Sequence, residues 1–292
     1  MIRIALLGNS HLVNWKRAWK SLGKAYPDVE FVFFAAPGRQ LQCCEPQGDR
    51  LVFKREDVAR SLEITSGGRR ELVPADYDAL CVVGLGYGID SVTELYSRWR
   101  ADSHKGQEGR FRLVSDACFQ DAVADRLNVS LAMALVGGLR QITDKVIWLA
   151  PVPAPSEIVL TLDKSPEGIE MAAATTDAPA LRAAYEEACR RLAAENLIVL
   201  QQPKATLASP LLSKDEYRRP NRNPSETTPD WSHLNDAYGK ITIREFLSRL
   251  QPSLGGQSAG ASSGGLLRLA NPLLRALRNK VLQLSIRRSS KS

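Results

Sequence analysis

At 292 residues, 44% of them hydrophobic and 24% charged, the chain can build one large or two small globular domains. It has no run of about 18 apolar residues, so no membrane-crossing helix is expected. The net charge of +7 suggests nucleic acid only until it is located: seven basic residues and no acidic ones follow Leu250, leaving 32 of the 39 basic residues against 32 acidic ones in residues 1–250. The main domain is therefore neutral, and no nucleic-acid partner is expected.

The chain opens directly on an apolar, strand-like segment, without a basic region followed by a long apolar stretch. That start predicts a cytoplasmic protein. Cys43, Cys44, Cys81, Cys118 and Cys189 form no CxxC pair, which argues against a disulfide framework or a zinc site, and no metal is expected. Adjacent Cys43 and Cys44 are loop or core thiols or, less simply, a redox pair.

In chain order, the short apolar segments Ile2–Leu7, Val29–Ala35, Ala79–Val83, Lys145–Leu149 and Asn196–Leu200 read as strands buried on both faces. Helical patterns fall between them. The first begins at Leu12, with Leu12, Trp15, Trp19, Leu22 and Ala25 on one face, and others cover Ser91–Trp99, Asp116–Gly137 and Ala178–Ala194. Such alternation predicts a three-layer α/β/α domain over residues 1–250, with a mostly parallel five-stranded sheet and right-handed crossovers. Residues 38–75, with alternation in "RLVFKRE" and "SLEITSGGRRELV", read as a β-hairpin insertion. Residues 202–232 read as a long loop, and a loop of that length is functional or disordered. Residues 251–265, "QPSLGGQSAGASSGG", read as a flexible linker. Residues 266–292 form a basic amphipathic tail: Asn271 caps a helix with Pro272 at its first position, Leu273, Leu277, Val281 and Leu284 line one face, and Arg275 and Arg278 lie on another. That pattern suits an anionic membrane surface reached through residues 266–288, which would place the protein peripherally at the inner face of the membrane. Fold-back or disorder of the tail is the competing reading.

Open α/β sheets bind ligands outside the carboxyl ends of their strands. Ser10 lies at such an end, as do Gly38 and the glycines of "GLGYG", Gly84, Gly86 and Gly88. A serine hydroxyl attacks carbonyls only with a neighbouring base, a group that orients the base, and donors for the oxyanion. Of the three histidines, His11 adjoins Ser10 and diverges from it, and His104 sits in the polar stretch "ADSHKGQEG". His233 has Asp230 three residues before it, within reach on a turn. Ser10, His233 and Asp230 are thus the one triad available. Two plain readings compete: Ser10 as a helix cap, and His233 as a structural histidine. "GLGYG" follows the third strand with the wrong spacing for a dinucleotide fingerprint, and there is no P-loop. Asp116 and Asp121 read as the solvated face of a helix.

"GNSH" (residues 8–11) resembles the first block of the SGNH (GDSL-type) hydrolases, and "DWSHLNDAYG" (residues 230–239) resembles their last. The resemblance implies a three-layer fold with Ser10 as nucleophile and His233 as general base oriented by Asp230. It further implies an oxyanion held by the Ser10 N–H, by a second-strand glycine, here Gly38, and by a third-strand asparagine. That asparagine is missing from "GLGYG", so backbone amides at Gly84 or Gly86, or the side chains of Asn9 or Asn14, must substitute, with His11 beside them. The implied function is esterase or O-acyltransferase action on a glycan or other acylated small molecule. No cofactor is implied beyond an acyl donor such as acetyl-CoA for a transferase, and the pattern also looks like proteins associated with bacterial polysaccharide assembly. The rival reading is a non-catalytic glycan-binding or assembly protein on the same fold. A nucleotide-dependent transferase is a third.

Overall fold

The computed structural model describes residues 1–106, 110–162, 166, 168–194, 196–221 and 228–258, the last eight in backbone only. Two compact units divide the chain, Met1–Leu250 and Gln251–Ser292. The amphipathic helix expected in the basic tail falls outside the described residues.

The first unit alternates strand and helix as the apolar pattern predicts. Strand β1 (Ile2–Gly8) leads through a four-residue-scale turn into helix α1 (Leu12–Leu22), and β2 (Val29–Ala35) follows. A small antiparallel hairpin comes next, β3 (Cys44–Gln47) with β4 (Arg50–Phe53). Helix α2 (Glu56–Ser66) then returns to the central strand β5 (Ala79–Gly88). Helix α3 (Asp90–Tyr96), the short parallel pair β6 (Trp99–Ala101) and β7 (Arg112–Val114), and helices α4 (Asp116–Asn128) and α5 (Leu131–Leu139) precede β8 (Ile147–Val152). Helices α6 (Ile169–Ala173) and α7 (Ala178–Leu192), strand β9 (Leu197–Val199), a hairpin of β10 (Leu207–Ser209) and β11 (Leu212–Ser213), and helix α8 (Asp236–Ser258) complete the order.

The main sheet has the order β2-β1-β5-β8-β9, every pair parallel. Alternate residues along each strand serve opposite layers. Ala5, Leu7, Val32, Phe34, Leu80 and Val82 join the large core cluster that also holds Val58 and Leu62 of α2, Leu135 of α5 and Leu181 of α7. The other face carries α1 and α8: Trp19 stacks on Phe31 at 4.1 Å, and Phe246 meets Trp15 at 5.8 Å and Trp148 at 5.3 Å between ring centroids. The chain adds β2 on one side of β1 and then β5 on the other. The switch of direction falls between β1 and β5, and there the carboxyl ends open a crevice.

Three sequence expectations are corrected. Only residues 44–53 of the expected insertion form a hairpin; most of "SLEITSGGRRELV" belongs to α2 or to the return after it, because Val58, Ala59 and Leu62 bury one helical face, Glu56 and Asp57 favour the first turn, and Gly67 closes the helix in a left-handed conformation. The pattern over residues 116–137 is two helices, separated where Ser130 caps the second through the Met133 N–H. Helix α8 continues to Ser258, so residues 251–258 of the expected flexible linker are helical, and residues 259–265 lie outside the described residues. All five cysteines are free, and burial pushes the Cys44 thiol up to about 12, which makes it a poor partner for thiol exchange with Cys43.

Among the described residues no single helix is long and apolar enough to cross a membrane. At Gly8, the last residue of β1, a Cβ would stand 2.7 Å from the Val83 carbonyl oxygen of β5. The sheet closes against a bare backbone here, two residues before Ser10. Gly8→Ala is expected to destabilise the fold by about 1–3 kcal/mol through overpacking, read as a lower urea midpoint at unchanged slope.

Candidate active site

Ser10 sits in the turn between β1 and α1, at the crevice that the sheet topology creates. Its hydroxyl does not cap α1. The cap position is His11, with no side-chain cap bond, and Asn9 Oδ1 accepts the His11 N–H at 3.2 Å. Ser10 Oγ instead lies 2.8 Å from His233 Nε2, joining residues 223 apart in sequence. The other ring nitrogen of His233, Nδ1, lies 2.9 Å from Asp230 Oδ1, which also accepts the His233 backbone N–H at 3.2 Å. The three-residue spacing thus folds into a tight turn in which one carboxylate oxygen receives both the backbone and the ring of the same histidine. Ser232 Oγ stands on the same pair, 3.2 Å from Asp230 Oδ1 and 3.1 Å from His233 Nδ1.

Local anchors deliver this turn to Ser10. Leu234 and Tyr238 are buried. Asn235 accepts the N–H groups of Ala237 and Tyr238 at the start of α8, while its amide donates to the carbonyls of Glu216 and Arg218. The Arg219 N–H donates to the His233 carbonyl at 3.0 Å, and Asn235 N–H to the Tyr217 carbonyl at 2.7 Å, so the segment before the triad turn pairs with it as a short antiparallel bridge. Asn221 Oδ1 accepts the Asp230 N–H at 3.0 Å. Upstream, Gln202 ties the segment to the end of β8: its carbonyl accepts from Ala154 N–H, and its amide donates to Thr206 and Ser213 hydroxyls. The stretch expected as a long loop is thus pinned at several points by buried polar groups, whose burial without such partners would be costly. Asn235 and Gln202 gave no periodic signal. Asn235 stands just before the last helical pattern, at a favoured capping position, and could have been read so.

The electrostatics favour an ionised carboxylate beside the His233 ring. Burial pushes the Asp230 carboxyl up, but the hydrogen bonds and charge of His233 outweigh it and hold Asp230 below the ordinary carboxylate range. His11 stacks on His233 with ring centroids 5.0 Å apart. Burial, with a contribution from His233, lowers the His11 pKa to about 4, so His11 is a neutral wall of the site and not a base.

Ser10, His11, Asn14 and His233 line one notch, of about 220 Å³ counted out to open solvent, together with Arg17 and Arg219. The remaining sequence candidates are placed differently. Gly84 packs against Asn9 and His11, where a Cβ would meet Asn9 Oδ1 at 3.0 Å. Gly84, Leu85 and Gly86 all have positive φ (78°, 59° and 74°), and the β5–β8 register shifts between Val83 and Gly88. Leu85 holds that left-handed conformation while buried, a costly state that glycine neighbours alone do not explain. Gly86 and Gly38 are exposed, Gly86 within β5 and Gly38 in the turn beyond the end of β2. His104 is a packing residue: its Nδ1 accepts the Ala101 N–H, and its ring meets Tyr96 and Phe119 edge-on. Asp121 pairs with Arg191 on an exposed face.

The molecule is thus a three-layer α/β/α protein with a serine–histidine–aspartate hydrogen-bond chain at the switch point of its sheet. Among solved structures it is distantly similar to a GDSL-like lipase from Bacteroides thetaiotaomicron VPI-5482, at 10% identity over 86% of this chain and 88% of that one, with a TM-score of 0.38. It is also similar to the periplasmic domain of a lipopolysaccharide acetyltransferase from Salmonella ser. Paratyphi A, at 12% identity over 85% of this chain and 83% of that one, again with a TM-score of 0.38. At these identities and TM-scores the likenesses assign the chain to no family. No family model and no curated protein matches the chain. The expectation of a cytoplasmic protein at the inner face of the membrane is corrected: one of the matched structures is a periplasmic domain. A sequence that opens on a strand records the start of a sheet, and carries no mark of the compartment in which the sheet folds.

The lowered His11 pKa sets a pH dependence. The unfolded chain binds a proton at His11 below about 6.5 that the folded chain takes up only near about 4. Stability is therefore full above the unfolded value and falls as pH drops through that window. Urea midpoints measured from pH 4 to 7 should rise with pH, and His11→Gln should flatten the rise.

Proposed function

We propose that the chain is a serine-dependent acyl-transfer enzyme, an esterase or O-acyltransferase acting on a glycan or another acylated small molecule. The observation that carries this reading is the pair of hydrogen bonds on His233, 2.8 Å to Ser10 Oγ and 2.9 Å to Asp230 Oδ1. One imidazole held between a hydroxyl and a carboxylate is what proton transfer from a serine requires. Asp230 fixes the tautomer with its proton on Nδ1, leaving Nε2 to accept from Ser10.

Ser10 Oγ attacks the carbonyl carbon of an ester or thioester, and its proton passes to His233 Nε2. Asp230 stays ionised and stabilises the imidazolium. Collapse of the tetrahedral intermediate breaks the bond to the leaving group, which takes the proton from His233. Water or a sugar hydroxyl then attacks the acyl-serine, giving its proton to His233, and collapse of this second intermediate breaks the bond to Ser10 Oγ, which takes that proton back from His233. The acceptor decides between hydrolysis and transfer.

The oxyanion needs donors preorganised in the notch. Asn14, in the first turn of α1, is 5% exposed and lines the notch beside Ser10; its Oδ1 only accepts, so the donor it could offer an oxyanion is its Nδ2 amide. In this reading the Asn14 amide joins the Ser10 N–H and takes the part that the missing third-strand asparagine plays in the resembling family. Gly38, Gly84, Gly86 and Asn9 are not among the residues lining the notch, although Gly84 packs against Asn9 and His11. Acetyl-CoA is the acyl donor to try first for transfer to a sugar.

Wild-type protein should react with a fluorophosphonate probe at Ser10 and hydrolyse p-nitrophenyl acetate. Ser10→Ala or His233→Ala should lower kcat by about four to six orders of magnitude, and Asp230→Asn by about 10⁴. Unchanged turnover in Ser10→Ala would leave the crevice as a glycan-binding surface without acyl chemistry.

A further inference from the structure

We propose that Ser232 is a positioning residue of the triad, whose hydroxyl accepts the Nδ1 proton of His233 alongside Asp230. The inference rests on the acyl-transfer reading and adds to it a second group that fixes the tautomer of the base.

Ser232 Oγ stands 3.1 Å from His233 Nδ1 and 3.2 Å from Asp230 Oδ1, and those two atoms are 2.9 Å apart. Three polar atoms thus close a nearly equilateral triangle. An ionised carboxylate only accepts, and a neutral His233 must leave Nε2 bare to accept from Ser10. The triangle therefore has two protons to place, one on Nδ1 and one on the Ser232 hydroxyl. The hydroxyl donates to Oδ1, and the Nδ1 proton is shared between Oδ1 and a lone pair of Oγ. Each donor then has an acceptor. No proton passes through Ser232 when Nε2 takes up the one from Ser10.

Among the described residues, neither contact of the Ser232 side chain is with the backbone. A hydroxyl that served only the turn would bond a nearby main-chain group. The main chain on either side holds Ser232 in place. The Trp231 carbonyl accepts the Ser156 N–H at 3.0 Å, and the His233 carbonyl accepts the Arg219 N–H at 3.0 Å. The Asp230 N–H donates to Asn221 Oδ1.

The carboxylate needs this contact as much as the ring does. Its hydrogen bonds among the described residues, from the His233 N–H, from Nδ1 and from Ser232, all end on Oδ1. Ser232 is the partner that ties it from outside His233. Burial pushes the Asp230 carboxyl up, and the bonds of His233 and then of Ser232 bring it down. His11 covers one face of the ring and Ser10 occupies Nε2, so the tautomer is decided at the Nδ1 edge, by Asp230 and Ser232.

The test separates the two acceptors. Imidazole nitrogen NMR shifts above neutral pH report which ring nitrogen of His233 carries the proton. Wild type, Ser232→Ala and Asp230→Ala should all keep it on Nδ1, and Asp230→Ala/Ser232→Ala should lose that preference. With p-nitrophenyl acetate, Ser232→Ala should lower kcat about tenfold at unchanged KM, and Ser232→Thr, which restores the hydroxyl, should recover most of the loss. In the Asp230→Ala background, where the hydroxyl is the last acceptor, Ser232→Ala should cost about ten times more than it does in wild type. A tautomer already lost in Asp230→Ala or still kept in the double variant, or a cost of Ser232→Ala no larger without Asp230 than with it, would overturn the proposal. If no ester is turned over while the tautomer is lost only in the double variant, the acyl-transfer reading fails and the place of Ser232 on Nδ1 stands.

Discussion

A proton shared between residues 10 and 233 is a demand on the whole fold, because nothing local can bring them together. The two residues occupy equivalent positions, each just before the amino end of a helix on the same face of the sheet. What fixes them is the contact between those helices. At Gly239, in the first turn of α8, a Cβ would stand 2.6 Å from the Asn14 backbone oxygen of α1. The helix backbones approach so closely there that only glycine fits, and Ser10 and His233 lie four and six residues upstream of that point of contact. Phe246, wedged among Trp15, Phe31 and Trp148, holds the other end of the same interface. The Ser10–His233 contact is thus a consequence of helix packing on one sheet face.

The electrostatic design is economical. One carboxylate, Asp230, is held ionised by the histidine it orients, against the cost of its burial. A second histidine is stacked on the first and kept neutral by its surroundings. In the proposed proton transfer a charged His11 at that distance would oppose an imidazolium on His233; a neutral one carries no such penalty. Positive charge enters the notch only through arginines, whose charge does not titrate near neutral pH.

The end of β5 is where this molecule departs most from the pattern its two end motifs resemble. Three successive residues there, Gly84, Leu85 and Gly86, have positive φ, and the leucine among them is buried. Gly84 is pressed against Asn9 and His11, so the unusual backbone makes room for the turn that holds Ser10.

The sequence alone carried the layer architecture, the five sheet strands within a few residues, and the spacing of Asp230 and His233, because each is written in short-range periodicity or local order. It misread α2, where a β-branched, charge-rich stretch alternates like a strand but is helical by virtue of the strand face it covers. It also placed β5 too short, since glycines that read as a loop continue the strand direction. Whether Ser10 would cap a helix or meet an imidazole could not be read locally, because both uses suit a serine at a helix start. Tertiary structure decided that, along with the entry of Arg17 and Arg219 into the same notch. Contacts between residues hundreds of positions apart depend on packing distances that one-dimensional patterns do not contain.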